Sequence, residues 1–135
     1  HCSVRRQRQM CIRDRMKYPM IYIRKSPKGF GKGKLIEGEF KKNTQSILVE
    51  DMATDGGSKL HFIRALRQNE LKVKDIYVVF YYGIYPKAKK NISKMKVNLN
   101  YLTSWRDILT ISPNYISDKD YDNLKSYLES ISSGK

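Results

Sequence analysis

The residues best suited to chemistry in this chain lie between Ser46 and Ser58, in the order Ser-Ile-Leu-Val-Glu-Asp-Met-Ala-Thr-Asp-Gly-Gly-Ser. A short apolar run leads to two adjacent acids, then to hydroxyl and glycine residues, and then to an amphipathic segment. This order is typical of a strand that passes through a tight loop into a helix. Glu50 and Asp51, at the end of the strand, could accept hydrogen bonds from sugar hydroxyls, while backbone amides at the helix start bind an anion. The stretch therefore predicts a site for a sugar phosphate.

Within the loop, the small residues are the ones expected to hold the phosphate. Gly56 and Gly57 permit positive φ and could turn successive N–H groups toward an anion. Thr54 and Ser58 add hydroxyl donors, and the dipole of the following helix favours a dianion. The alternative is an ordinary Asp-Gly-Gly turn in front of a helix.

A second candidate segment is the basic loop that begins at Arg24, with Lys25 and Lys28 close behind. Cations on a loop that closes over a site can meet the charge of a departing diphosphate and exclude water. Glycines at 29, 31 and 33 would give this loop its mobility. The alternative is a solvated, lysine-rich loop tip with no ligand.

The elements that must position these residues alternate between strand and helix. Apolar runs predict strands over 19–23, 35–40, 47–49, 76–82 and 97–101, and helical spacing predicts helices over 59–69, 88–95, 105–111 and 118–132. The run 47–49 reads as a strand buried on both faces. The apolar stripe of the last predicted helix, 118–132, consists of Leu124, Tyr127, Leu128 and Ile131. Strand, helix and strand at this spacing predict an α/β fold with a parallel sheet.

The first 15 residues need separate treatment, because the run 5–15 reads as the translation of a transposon-type sequencing adapter. We interpret residues 1–15 as an artefactual, disordered leader and 16–135 as part of one domain. The alternative is a natural basic arm that binds nucleic acid. Removing the five Arg and one Asp of this leader from 27 basic and 13 acidic residues leaves 22 and 12, and both cysteines fall within it.

The remaining composition excludes several classes of protein. Without cysteine beyond the leader, a disulfide framework or thiolate metal site is not expected. No apolar run is long enough for a membrane span, and no secretory segment is visible, so we expect a cytoplasmic protein without a membrane partner. The excess lysine is spread along the chain with no Arg cluster, which favours genomic base bias over a nucleic-acid surface.

Residues 18–109 resemble the C-terminal half of an orotate phosphoribosyltransferase. Residues 50–58 resemble the phosphoribosyl-pyrophosphate motif that type I phosphoribosyltransferases share. The Arg-Lys-x-x-Lys pattern of Arg24, Lys25 and Lys28 narrows the resemblance to the orotate enzymes. Segments 78–86 and 105–109 are similar to later signatures of one bacterial branch. The resemblance implies a Rossmann-like parallel sheet flanked by helices, with the N-terminal part of the domain missing.

The resemblance also implies a reaction. Orotate displaces pyrophosphate from 5-phosphoribosyl 1-pyrophosphate (PRPP), which gives orotidine 5′-monophosphate for the synthesis of UMP and other pyrimidines. Mg²⁺ would be held mainly by PRPP and water, with no dedicated protein ligand. A homodimer is implied, with the basic loop of one subunit acting at the site of the other. From residues 16–135 alone we expect little or no turnover.

The resemblance implies a role for each site residue when the roles known in the family are transferred to the matching positions of this chain. Lys25, Lys28 and Asp51 are implied as catalytic, and Arg24, Lys25 and Lys28 would contact pyrophosphate. Thr54 would also lie near orotate. The ribose and 5′-phosphate would be held by Glu50, Asp51, Met52, Ala53, Thr54, Asp55, Gly56, Gly57 and Ser58.

Two departures from the family pattern keep other functions open. Phe30 stands where many members have His, and Tyr81-Tyr82 stands where other branches have an Arg that binds orotate. One alternative is therefore a type I phosphoribosyltransferase for another base. Another is a non-catalytic regulator that binds PRPP and nucleic acid, which would require basic residues gathered on one face.

Overall fold

The computed structural model describes residues 11, 14–24, 26 and 35–133, with the backbone alone at Lys89. Most of the predicted leader (1–10, 12 and 13) and the loop residues Lys25 and Lys28 lie outside the described residues. The strands are β1 (Tyr22–Ile23), β2 (Ile36–Glu37), β3 (Gln45–Ala53), β4 (Lys72–Tyr81) and β5 (Asn98–Ser104). The helices are α1 (Gly57–Gln68), α2 (Pro86–Met95), α3 (Trp105–Ile111) and α4 (Asp118–Ser132), and a 3₁₀ turn covers Ser112–Asn114.

The main sheet has three parallel strands in the order β3-β4-β5, with β4 in the centre. Helix α1 connects β3 to β4, and helix α2 connects β4 to β5. Parallel neighbours need such crossovers, because a tight turn would return the chain in the opposite direction. The predicted α/β fold with a parallel βαβ unit is therefore confirmed.

Both crossover helices pack on the same face of this sheet. Ile63 and Leu66 of α1 and Met95 of α2 belong to one buried cluster with Leu48 and Ile76 of the strands. Two successive crossovers that step in the same direction across a sheet put their helices on the same side. The core thus lies between one sheet face and two helices.

The prediction that the strand at 47–49 is buried on both faces is wrong. Leu48 is buried, but Ile47 and Val49 are 55% and 57% exposed. The same alternation occurs in β4, where Tyr77 and Val79 are exposed beside buried neighbours. Alternate residues of this apolar run therefore lie on a buried and an open face of the sheet, because no described helix covers the second face.

A two-stranded antiparallel ribbon precedes the sheet, with Ile23 paired to Ile36 and Tyr22 to Glu37. It supports the predicted pair of strands on either side of a long loop, although both strands are shorter than predicted. Gly38 explains one boundary: its φ is +108°, and a Cβ there would lie 3.2 Å from the carbonyl oxygen of Met20. A residue in this conformation cannot continue an extended strand.

The C-terminal helices have the caps that their sequences suggest. Ser104 and Asp107 form a reciprocal capping box at the start of α3. The Ser117 hydroxyl accepts a hydrogen bond from the backbone N–H of Asp120, and α4 has the predicted bounds. Of its predicted apolar stripe, Leu128 is buried, whereas Tyr127 is exposed. Within the described part of the chain, no helix has the length and apolar character needed to cross a bilayer.

Candidate functional site

The candidate site lies at the carboxyl edge of the parallel sheet, where β3 runs into α1. Thr54, Asp55 and Gly56 form the connection between the buried Ala53 and the first residue of the helix. The backbone N–H of Tyr82, just after β4, donates to the carbonyl oxygen of Ala53 at 2.9 Å. The ends of two strands are thereby tied together at the edge where α/β proteins usually bind ligands.

Gly56 gives the connection its shape. It has φ 78° and ψ 2°, in the left-handed region, and it caps the N-terminus of α1. An added Cβ would meet Asn91, Ile92 and Met95 at 3.5 Å, which is ordinary contact, so the backbone conformation and not the space selects glycine. Gly57 does not adopt the positive φ that its lack of a Cβ permits, because Gly56 is followed directly by helical backbone.

Backbone N–H groups at the start of α1 lack the intrahelical acceptors that later residues of the helix have. Gly56 has no side chain to cap the helix, and the first intrahelical bond of this turn runs from the N–H of Leu60 to the oxygen of Gly56. The amides of Ser58 and Lys59 therefore have no acceptor within the helix. The amide of Gly57 donates to Asp55 Oδ1 at 3.0 Å. An acidic side chain thus already accepts from one of the amides predicted to bind phosphate.

Helix α2 makes a hydrogen bond to the loop that connects β3 to α1. Asn91 Nδ2 donates to the carbonyl oxygen of Asp55 at 2.8 Å. Sequence reasoning missed this residue, since nothing in the polar segment around Asn91 indicates a partner 36 positions earlier. The contact fixes the backbone carbonyl that precedes the left-handed turn.

The two acids lie inside β3, which continues to Ala53, beyond the predicted end of the strand at Val49. Successive side chains of a strand point to opposite faces, so Glu50 and Asp51 diverge. Glu50 is partly buried on the helix side, where its Oε2 lies 2.6 Å from Lys59 Nζ. Asp51 is exposed and makes no hydrogen bond or ion pair with any described residue.

Other predicted site residues surround this edge. Met52 and Ser58 are exposed, and Thr54 is partly exposed. In the ribbon, the Arg24 side chain is bound to Glu37, with Nε 2.6 Å from Oε1. The structure therefore brings Glu50, Asp51 and the loop together, while Arg24 is held by a carboxylate of its own ribbon.

An aromatic cluster lies at the ends of β4 and β5. Phe80, Tyr82 and Trp105 make edge-to-face contacts, with ring centroids 5.3 Å apart for Phe80 and Trp105 and 6.0 Å for Tyr82 and Trp105. Trp105 Nε1 is buried and has no hydrogen-bond partner within the described ranges. Nearby, partial burial and the neighbouring Tyr101 raise the pKa of the Tyr81 hydroxyl above its ordinary value.

Solved structures give the class of this fold. The chain superimposes on UMP synthase from Leishmania donovani with a TM-score of 0.68 at 25% identity, over 87% of this chain and 25% of that one. It matches orotate phosphoribosyltransferase from Aeropyrum pernix with a TM-score of 0.61 at 25% identity, over 77% of this chain and 55% of that one. The parallel sheet and its acidic, glycine-containing loop are those of a type I phosphoribosyltransferase.

Sequence relatives narrow the class to one family. The chain is 42% identical over 98 residues to orotate phosphoribosyltransferase from a Ruegeria species, across 73% of this chain and 43% of the relative. It therefore belongs to the orotate phosphoribosyltransferase family. No family model matches it. The chain spans less than half the length of this relative.

Proposed function

We propose that this chain supplies the phosphoribosyl-binding part of an enzyme that transfers the 5-phosphoribosyl group of PRPP to orotate. The observation that carries the proposal is the continuous path from Glu50 and Asp51 through the left-handed Gly56 to the start of α1, where the N-cap residue has no side chain to accept from the helix amides. Carboxylates that accept from hydroxyls and amides that donate to an anion follow one another along the nine residues 50–58. Membership of the orotate phosphoribosyltransferase family supports this assignment.

In the proposed complex, Glu50 and Asp51 accept hydrogen bonds from the ribose hydroxyls. The loop from Thr54 to Ser58 binds the 5′-phosphate through its amides and hydroxyls, aided by the dipole of α1. Met52 and Ala53 contribute backbone at the floor of the site, and Thr54 also lies beside the base. Asp55 occupies the Gly57 amide until the phosphate, which carries more charge, replaces it.

The chemistry proposed is a substitution at the anomeric carbon. The bond from this carbon to pyrophosphate breaks, and its electron pair leaves with pyrophosphate. A ring nitrogen of orotate forms the new bond and gives up its proton to the departing pyrophosphate. Arg24, Lys25 and Lys28 meet the charge of the leaving group, and Arg24 must exchange Glu37 for pyrophosphate to do so. Asp51 faces the positive charge that develops on the sugar, so that positioning and electrostatics lower the barrier.

Mg²⁺ is proposed to enter with PRPP. Among the described residues no cluster of three or more His, Cys, Asp or Glu could hold a metal ion. The exposed carboxylate of Asp51 nevertheless suits Mg²⁺, which often binds through one or two carboxylates and substrate phosphates. When bound, the ion would supply charge neutralisation for the diphosphate. We also propose a homodimer in the cytoplasm, with neither nucleic acid nor membrane as a partner.

Calorimetric titration tests the binding proposal on the chain as it stands. We expect ribose 5-phosphate to bind more tightly than inorganic phosphate, because only the sugar engages the acids. Asp51→Asn should weaken ribose 5-phosphate about tenfold, the effect of about one lost charge-assisted hydrogen bond. Asp122→Asn removes the same charge from an exposed position of α4 and should leave both affinities unchanged. Equal affinity for the two ligands in the unchanged chain would refute the proposal.

A further inference from the structure

Lys59 is a buried lysine at the edge of the proposed ribose site. It is the third residue of α1, and its side chain is only 6% exposed. Its Nζ lies 2.6 Å from Glu50 Oε2 and 3.4 Å from the Ser58 hydroxyl. Lysine is almost never buried to this extent without a partner of opposite charge, so the ion pair with Glu50 is what allows it.

The pair fixes one half of the Glu50 carboxylate and leaves the other half available. Oε2 is held by Lys59, whereas Oε1 accepts no hydrogen bond from any described residue. With one oxygen anchored, the remaining oxygen has a defined direction. Asp51, by contrast, is exposed and unanchored, so the two adjacent acids differ in how firmly the protein holds them.

Lys59 also changes the charge of the site. Glu50, Asp51 and Asp55 place three carboxylates within six residues of chain, next to amides that would receive a phosphate dianion. The single cation of Lys59 offsets one of these carboxylates at close range.

We infer that Lys59 is a positioning residue for ribose recognition: it holds Glu50 so that the free carboxylate oxygen meets a ribose hydroxyl, and it does not itself contact the ligand. This inference rests on the proposed function. In this role, Lys59 affects ribose binding only through its ion pair with Glu50.

A double-mutant cycle with two ligands tests the inference. Ribose 5-phosphate and inorganic phosphate are titrated into the unchanged chain and into Lys59→Met, Glu50→Gln and the double variant. We expect Lys59→Met to weaken ribose 5-phosphate about tenfold and inorganic phosphate less than about twofold. On the Glu50→Gln background, Lys59→Met should change neither affinity by more than about twofold, because the partner through which it acts is gone. Lys74→Met, at an exposed lysine near the opposite end of β4, is the control and should change nothing.

Three results would overturn the inference. The first is that Lys59→Met weakens ribose 5-phosphate and inorganic phosphate equally. The second is that it weakens ribose 5-phosphate equally whether residue 50 is Glu or Gln. The third is that the unchanged chain binds ribose 5-phosphate and Lys59→Met does not weaken this binding. Failure of the unchanged chain to bind either ligand would overturn the proposed function together with this inference, and so is distinguishable from the other results. Should Lys59→Met not fold by circular dichroism, Lys59→Gln carries the same test, with a selective loss of about threefold expected.

Discussion

Gly56 is the single residue on which the shape of the candidate site most depends. Its φ of 78° is one that residues with a Cβ adopt only at a cost of about 1–2 kcal/mol. Gly57, next to it, begins the helix with ordinary backbone. The two adjacent glycines therefore have different reasons to be present, although the sequence does not distinguish them.

Gly56→Ala should lower the free energy of unfolding by about 1–2 kcal/mol and weaken phosphate binding. Urea denaturation followed by circular dichroism measures the first effect, and calorimetry the second. Gly57→Ala is the matched control, and it should leave stability unchanged or raise it by up to about 1 kcal/mol, since alanine suits a helix better. Equal losses in the two variants would show that the left-handed turn does not exist in solution.

Tyr81 provides a prediction on pH. Because its pKa is raised in the folded chain, chiefly by burial and then by Tyr101, the folded state holds the phenolic proton more tightly than the unfolded state. Its stabilising contribution is full below the unfolded pKa of about 10 and is lost as pH rises through the folded pKa. In parallel urea titrations, the free energy of unfolding should therefore fall less from neutral to alkaline pH in Tyr81→Phe than in the unchanged chain. Tyr115→Phe, at an exposed position, serves as the control, and an identical alkaline loss in all three proteins would contradict the prediction.

At the scale of elements, the sequence predicted the helices and their alternation with the strands along the chain. Helix α4 has the predicted bounds because Ser117 provides a clear cap in front of an acidic first turn. The strand predicted over 47–49 extends over Gln45–Ala53, because residues on both sides of the apolar run continue the ladder with β4. Periodicity detects the apolar part of a strand but not the polar residues that pairing recruits.

The contact between α2 and the loop gives a prediction at this scale. Asn91→Ala removes the donor to the carbonyl oxygen of Asp55, so we expect a loss of about 0.5–1.5 kcal/mol in stability. We further expect faster amide hydrogen exchange at residues 54–59, because α2 no longer fixes the loop. Asn123→Ala, at an exposed position of α4, is the control. Unchanged exchange across the loop in Asn91→Ala would mean that α2 does not support it.

At the scale of the whole molecule, the described sheet has one covered and one open face. Ile47, Val49, Tyr77 and Val79 are exposed on the open face, and the chain spans 43% of the length of its Ruegeria relative. The site described above holds the acids and the phosphate loop, which are the groups proposed for PRPP.

We therefore expect this chain to bind ribose 5-phosphate but to show little or no turnover. Pyrophosphate-dependent loss of orotidine 5′-monophosphate, followed by absorbance with Mg²⁺ present, measures the reaction in reverse. A full-length relative of the same family, assayed in parallel, is the positive control. Turnover comparable with that relative would show that the base pocket is complete in this chain.

The sequence by itself determined the class of fold, the position of the site along the chain and the family resemblance, because all three depend on residues close together in order. The structure decided which side chains act on one another: Lys59 on Glu50, Asn91 on Asp55, and Glu37 on Arg24. It also decided that both crossover helices share one face of the sheet. Such pairings depend on how strands and helices pack in three dimensions, and neither hydrophobic period nor motif spacing encodes which polar groups meet across an interface.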